Sequence, residues 1–268
     1  VKELWEVWKD ISAKRPLIYH LTNSVAMDFS ANVTLAIGAS PVMSHHPMEA
    51  HELASVADGI LINTGTPAEP SFLAMKNALS TAGRTEKPVL LDPVGYGATS
   101  FRKEMVHELI HNYRFSIIKG NEAEISLLAG GNGKLKGVDA LSGEDLPQCV
   151  AFLARKYSTL VAATGEIDLV SDGNRLYRVK GGSSRFARIT ASGCIAGSVI
   201  CACMAASGEI LSGTLAGLVS VGIAAERASF SSGGPGSFSA RFLDELASLK
   251  PEDFLDSGKR INIEEVNG

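Results

Sequence analysis

The chain has 268 residues, 45% of them hydrophobic and 20% charged, with a formal net charge of −4 at pH 7. Length and apolar content suit one globular domain with a large core, and an acidic balance without a basic block argues against a nucleic-acid or anionic-membrane surface. The four cysteines, Cys149, Cys194, Cys201 and Cys203, follow neither a zinc-ligand spacing nor a disulfide framework, so a cytoplasmic, reducing location is expected.

In chain order, VKELWEVWKDISAKRP reads as an amphipathic helix that stops before Pro16, not as a secretory leader. Short apolar runs then alternate with helical patterns. Strands are expected at Leu17–Leu21, Pro41–Met43, Gly59–Asn63, Val89–Leu91, Ser116–Ile118 and Leu160–Ala163. Helices are expected between them at Ser24–Ile37, Pro47–Ala57, Pro70–Thr81, Phe101–Tyr113, Asn121–Ala129 and Asp145–Tyr157. Pro47 and Pro70 suit first-turn positions, and Gly130 and Gly131 suit a helix stop. Beyond Thr164 the pattern changes to a hairpin, Asp168–Val170 and Arg175–Val179 around Asp172-Gly173. Three helical stretches follow, Cys194–Ala206, Ile210–Ser229 and Ser237–Leu249; their apolar runs are punctuated by Gly, Ser and Thr, which argues against a membrane span. Alternating strands and helices imply a mostly parallel sheet covered on both faces, a three-layer α/β/α architecture.

In such sheets ligands gather at the carboxyl ends of the strands. Asp92-Pro93-Val94-Gly95-Tyr96-Gly97 follows one strand, Lys119-Gly120-Asn121-Glu122-Ala123-Glu124 the next, and Thr164-Gly165 another. Each has a plain reading. Asp, Pro and Gly make turns, and Asn121 with Glu124 three residues on makes a helix-capping pair. Together, a cation, two carboxylates and a hydroxyl at successive strand ends also match what a nucleoside triphosphate and Mg²⁺ require. No G-x-x-x-x-G-K-[ST] loop is present. The helix start at Ala191-Ser192-Gly193-Cys194 offers the phosphates another cradle of backbone N–H groups.

This constellation resembles the hydroxyethylthiazole kinases of the ribokinase-like superfamily. The likeness is densest in HLTNSVAMDFSANVTLAIGASPVM (20–43), LLDPVGYGATSFR (90–102), IKGNEAEI (118–125), AATGEIDLV (162–170) and ITASGCIAGS (189–198). It implies a ribokinase-like fold over 1–268 and phosphorylation, with ATP and Mg²⁺, of the hydroxyl of 4-methyl-5-(2-hydroxyethyl)thiazole in thiamin salvage. Carried over position by position, it makes Cys194 the catalytic residue beside that hydroxyl, where superfamily relatives have an aspartate base. It makes Asn23, Met43 and Ala191 substrate contacts, and Lys119, Asn121, Thr164 and Gly193 ATP contacts. Asp92 and Glu124 become the metal partners. This chain departs from the family's Gly-Thr-Gly-Cys in having Ala191 and Ser192, and has Lys119 where Arg is common. The resemblance further implies a homotrimer with active sites at subunit interfaces.

At a helix N-terminus the Cys194 thiol is expected to have a lowered pKa and to orient the hydroxyl or accept its proton late. Met43 by itself reads as core packing, and His45 and His46 as surface or pocket rim. Competing readings are a pyrimidine or pyridoxal kinase on the same fold, a cysteine hydrolase pairing Cys194 with a base such as His20, and a nucleotide-binding protein without activity.

Overall fold

The computed structural model describes residues 3–130 and 146–266. Helix α1 (Leu4–Lys14) leads into β1 (Leu17–Leu21), followed by α2 (Met27–Ala36), β2 (Ser40–Met43), α3 (Ala50–Val56) and β3 (Gly59–Asn63). Then come α4 (Glu69–Thr85), β4 (Val89–Asp92), α5 (Ser100–Asn112), β5 (Ile117–Asn121), α6 (Glu122–Leu128), α7 (Leu146–Tyr157) and β6 (Leu160–Thr164). The hairpin strands β7 (Ile167–Ser171) and β8 (Arg175–Lys180) follow, then α8 (Ser192–Ser207), α9 (Ile210–Ser231), α10 (Pro235–Ser248) and β9 (Ile261–Glu265).

The strands form one nine-stranded sheet in the order β2-β1-β3-β4-β5-β6-β7-β8-β9. Every pair from β2 to β6 is parallel, and β7, β8 and β9 join antiparallel. The chain steps from β1 outward to β2, then returns past β1 to β3. The order therefore reverses between β1 and β3, and such a switch point opens a crevice at the carboxyl ends of the strands.

Side chains on a strand alternate between faces, and the two cores obey that period. Ile18, Leu61, Leu90 and Ile117 pack with α1, α2, α8, α9 and α10 on one face. Tyr19, Ile60, Ile62, Leu91 and Ile118 pack with α3 to α7 on the other. The result is the three-layer α/β/α arrangement expected. Helices α8 and α9 are nearly apolar all round, as helices buried inside a domain are. The α9 helix is long and apolar enough to cross a membrane, yet 72% of its most apolar stretch is buried against the rest of the protein.

Several element boundaries differ from expectation. The Asn23 side chain accepts hydrogen bonds from Val25 N and Ala26 N, forming a turn that delays α2 to Met27. Pro47 likewise lies in a turn, and α3 starts only at Ala50. Pro70 does occupy the first turn of α4, which runs on to Thr85. The expected helix stop at Gly131 and helix start at Asp145 lie outside the described residues. β9 was not expected from the chain pattern. It exists because β8 presents an edge that Ile261–Glu265 can pair with.

The α8–α9 contact depends on glycine. A Cβ on Gly213 would fall 2.6 Å from the backbone of Met204, closer than real Cβ contacts come. Gly213→Ala is therefore expected to cost about 1–3 kcal/mol and lower the melting temperature by several degrees. Differential scanning calorimetry checks this, and an unchanged melting temperature would contradict the close approach.

Candidate active site

Strand parity aims the central side chains. Asn63, Asp92 and Lys119 stand two residues beyond Leu61, Leu90 and Ile117, so they face the same layer, the one holding α8. Asn63 and Asp92 are direct register partners across β3 and β4. Above them, Gly197 of α8 lies over Leu61 and Asp92, while Cys201 lies beside Gly59 at the opposite end of β3. Helix α8 thus runs antiparallel to the strands and turns its positive dipole end toward their carboxyl ends.

Ala191 caps that helix with φ 62° and ψ 12°, and its side chain makes no capping bond. The first rung of the helix is Ile195 N to Ala191 O, which leaves the N–H groups of residues 192 to 194 without intrahelical partners. Unpaired N–H groups at a helix N-terminus are the geometry an anion cradle requires.

Cys194 sits in this first turn, 8% exposed. Its sulfur accepts hydrogen bonds from Asn23 Nδ2 and Asn63 Nδ2, each at 3.3 Å. Asn63 Nδ2 also reaches Asp92 Oδ2 at 3.1 Å, and Asn23 Nδ2 donates to Asn63 Oδ1 at 3.0 Å. Lys119 Nζ stands 3.5 Å from Asp92 Oδ2 and donates to Gly193 O at 2.9 Å. Asn23, Asp92, Lys119, Gly193 and Cys194, singled out from sequence, therefore meet in one buried network. Ala191 borders it through the helix turn.

A second group forms the neighbouring mouth. Asn121 Oδ1 accepts from Glu124 N, and Glu124 Oε2 accepts from Asn121 N, so the capping reading holds. Glu124 Oε1 also accepts from Gly95 N at 2.8 Å, tying the loop after Asp92 to α6. Thr164, in register with Asn121, donates to Gly120 O. Met43 is elsewhere. It ends the edge strand β2, in register with His20, and is half-buried.

Electrostatics within the network are lopsided: one buried cation faces several acid groups. Burial, against the pull of Lys119, pushes Asp92 up to about 6. Burial acts to lower Lys119, but the charges of Asp92 and, more weakly, Glu124 oppose it, so the amine stays protonated. The expected low pKa of Cys194 is overturned. Burial of the sulfur, then the nearby Asp92 charge, push the thiol up, against the opposing effects of Lys119 and the two carboxamides. The helix dipole that suggested a lowered value acts on a sulfur that is largely cut off from water, and desolvation wins.

The hydrolase pairing of Cys194 with His20 fails on geometry. His20 is fully buried, with Nδ1 3.1 Å from Ile18 O and Nε2 3.3 Å from Thr34 Oγ1, and burial lowers its pKa to about 4. The partners of the sulfur are amides. His45, by contrast, is half-buried at the rim and bonded to Thr22 O.

Sequence reasoning passed over Asn63, which closes the expected strand Gly59–Asn63. Its position at a strand end was the available signal. Its place beside the switch point depends on strand order, which the linear pattern does not contain.

Ala191 holds a left-handed backbone, costly by about 1–2 kcal/mol for a residue with a Cβ. Ala191→Gly relieves that strain but loosens the unfolded chain, so a net gain of about 0.5–1 kcal/mol is expected. Urea unfolding measures it; a lower midpoint in the variant would overturn the strain assignment.

Comparison with known proteins agrees with this geometry. The profile of the "Hydroxyethylthiazole kinase family" matches residues 8–252. A hydroxyethylthiazole kinase of Thermoanaerobacter pseudethanolicus is 40% identical over 262 residues, covering 97% of this chain and 99% of that protein. The solved structure of a hydroxyethylthiazole kinase protein from Pyrococcus horikoshii OT3 superposes with a TM-score of 0.88 at 36% identity, covering both chains completely. A ribokinase-like superfamily protein of Enterococcus faecalis V583 shares the fold at a TM-score of 0.62 and 12% identity, over 90% of this chain and 89% of that one. With its sheet, its α8 cradle and these relatives in agreement, the chain belongs to the hydroxyethylthiazole kinase family, phosphotransferases of ribokinase-like fold.

Proposed function

We propose that this chain transfers the terminal phosphoryl group of ATP, in a Mg²⁺-dependent reaction, to the primary alcohol of 4-methyl-5-(2-hydroxyethyl)thiazole in thiamin salvage. The observation that carries the proposal is the network of Asn23, Asn63, Cys194, Asp92 and Lys119 beneath the open N-terminus of α8. The accepting alcohol lies beside Cys194, in the crevice between β1 and β3, with Asn23 and Ala191 on its walls. Met43, on the edge strand, completes the thiazole pocket of a neighbouring subunit in a homotrimer. The exposed apolar side chains Val25, Leu35 and Met48 support such an association. ATP lies along Asn121 and Thr164, with its terminal phosphate toward the N–H groups of residues 192 to 194. The whole of 1–268 acts as one cytoplasmic domain.

Phosphoryl transfer demands positioning and charge neutralisation more than a strong base. The cradle N–H groups and Lys119 serve the developing charge from fixed positions inside a largely dry site. Because burial holds the Cys194 thiol protonated, its part is to orient the hydroxyl, which passes its proton late in a loose transition state to an oxygen of the phosphoryl group it receives.

The residues present fit Mg²⁺. Among the described residues no group of three or more His, Cys, Asp or Glu is placed to cage a metal. However, Asp92 Oδ1 is buried without a hydrogen-bond partner, and Glu124 acts on Asp92 through charge. Mg²⁺ binds through one or two carboxylates with phosphate and water completing its shell, so Asp92 and Glu124 would hold it, and it would neutralise phosphate charge there.

A coupled ATP assay with hydroxyethylthiazole, with and without Mg²⁺, tests the proposal; no turnover of the thiazole alcohol by folded protein would overturn it. Asp92→Ala is expected to cut kcat by about 100-fold or more, and Glu124→Gln to raise the Mg²⁺ concentration needed for half-maximal rate; an unchanged Mg²⁺ titration in both would remove them from the metal site. Cys194→Asp restores the carboxylate of superfamily relatives and is expected to retain or raise kcat. Complete loss of activity in a folded Cys194→Asp variant would remove Cys194 from the base position.

A further inference from the structure

The two amides that reach Cys194 are held in one orientation each. Asn23 Oδ1 accepts from the backbone N–H groups of Val25 at 3.1 Å and Ala26 at 3.0 Å, and Asn63 Oδ1 accepts from Gly65 N at 3.0 Å. A backbone N–H can only donate, so both side-chain oxygens are pinned and both NH₂ groups must face the sulfur. Gly65 is part of the device. A Cβ there would lie 2.7 Å from Asn23 Cβ, so only glycine lets the Asn23 side chain pass beneath the loop that locks Asn63.

Of the two amides, Asn63 has the wider reach. It is fully buried, and its single NH₂ group spans Cys194 Sγ at 3.3 Å and Asp92 Oδ2 at 3.1 Å. Three groups on different elements, β3, β4 and α8, are thereby set at fixed separations by one planar amide. Lys119 reaches the same Asp92 oxygen, Oδ2, at 3.5 Å and also braces the α8 turn through Gly193 O. An apolar residue at position 63 would fill the same space yet leave Cys194 and Asp92 free of each other.

We propose that Asn63 is a positioning residue for phosphoryl transfer: its locked carboxamide holds the Cys194 sulfur and the Asp92 carboxylate in register with each other, and so acts on the accepting alcohol through Cys194. The catalytic part of this inference rests on the proposed kinase reaction; the geometric part does not. The bond from Asn63 is a charge-assisted donor to Asp92 and a donor to the sulfur, and its loss in catalysis is expected to be about tenfold or more in kcat, with KM for ATP little changed.

Asn63→Leu and Asn63→Asp test it: both keep the branched shape of the Asn side chain, and Asp also keeps its volume. The leucine removes both donors, and the aspartate places a second acceptor against the sulfur. Alkylation of Cys194 by iodoacetamide at pH 8, followed by mass spectrometry against a Cys194→Ser control, reads the sulfur without any kinase turnover. The expected order of rates is wild type, then leucine, then aspartate, slowest last. In kinase assays, Asn63→Leu is expected to lose kcat in the wild-type background and to lose much less in a Cys194→Ala background, as groups acting through one another do. An unchanged or faster alkylation rate in a folded Asn63 variant would overturn the inference, as would an equal kcat loss in both backgrounds. Should the leucine variant not fold, the aspartate variant, which keeps the acceptor for Gly65 N, carries the same two readouts. If the thiazole alcohol is not turned over at all, the kinase proposal fails while the alkylation order still decides the role of Asn63 at the sulfur.

Discussion

One buried cation organises this site. Lys119 is 2% exposed, and a lysine so placed survives as a charge because the carboxylates of Asp92 and Glu124 surround it with negative potential. The same amine grips the carbonyl of Gly193 and so anchors the first turn of α8 over the sheet. Without it, Asp92, whose Oδ1 already lacks a hydrogen-bond partner, would lose the buried cation it faces, and the helix N-terminus would lose this tie to β5. The anion cradle, the carboxylate and the thiol are therefore parts of one electrostatic unit, not separate motifs that happen to be near.

That unit explains the character of its cysteine. A thiol at a helix N-terminus is ordinarily acidified, yet here the walls that exclude water raise its pKa. In the proposed reaction, charge neutralisation at the transferred phosphate would carry more of the catalysis than proton removal, which suits a loose transition state. The amides of Asn23 and Asn63 complete the arrangement by offering the sulfur donors alone.

Much of this was legible in the linear pattern. The alternation of Val89–Leu91 and Ser116–Ile118 with helical periods announced a parallel sheet, and the Asp92, Lys119 and Thr164 positions stood out because they follow the expected strand ends. The capping pair of Asn121 and Glu124 was readable from spacing alone and is present as such. Resemblance added the register of Cys194 at the α8 turn. Boundaries were less legible. Asn23 turns the chain with its side chain and shortens α2, an effect that periodicity does not register. The edge strand β9 depends on pairing with β8, more than eighty residues away in the chain.

By itself, then, the sequence determined most of the elements and, Asn63 apart, the groups at the strand ends, because local periodicity and turn chemistry act within a few residues. Only the tertiary structure decided which of those groups meet. Strand order set the reversal between β1 and β3, and strand parity turned Asn63, Asp92 and Lys119 toward α8. Burial then reversed the expected ionisation of Cys194, since desolvation depends on what packs around the sulfur and not on the residues beside it in the chain.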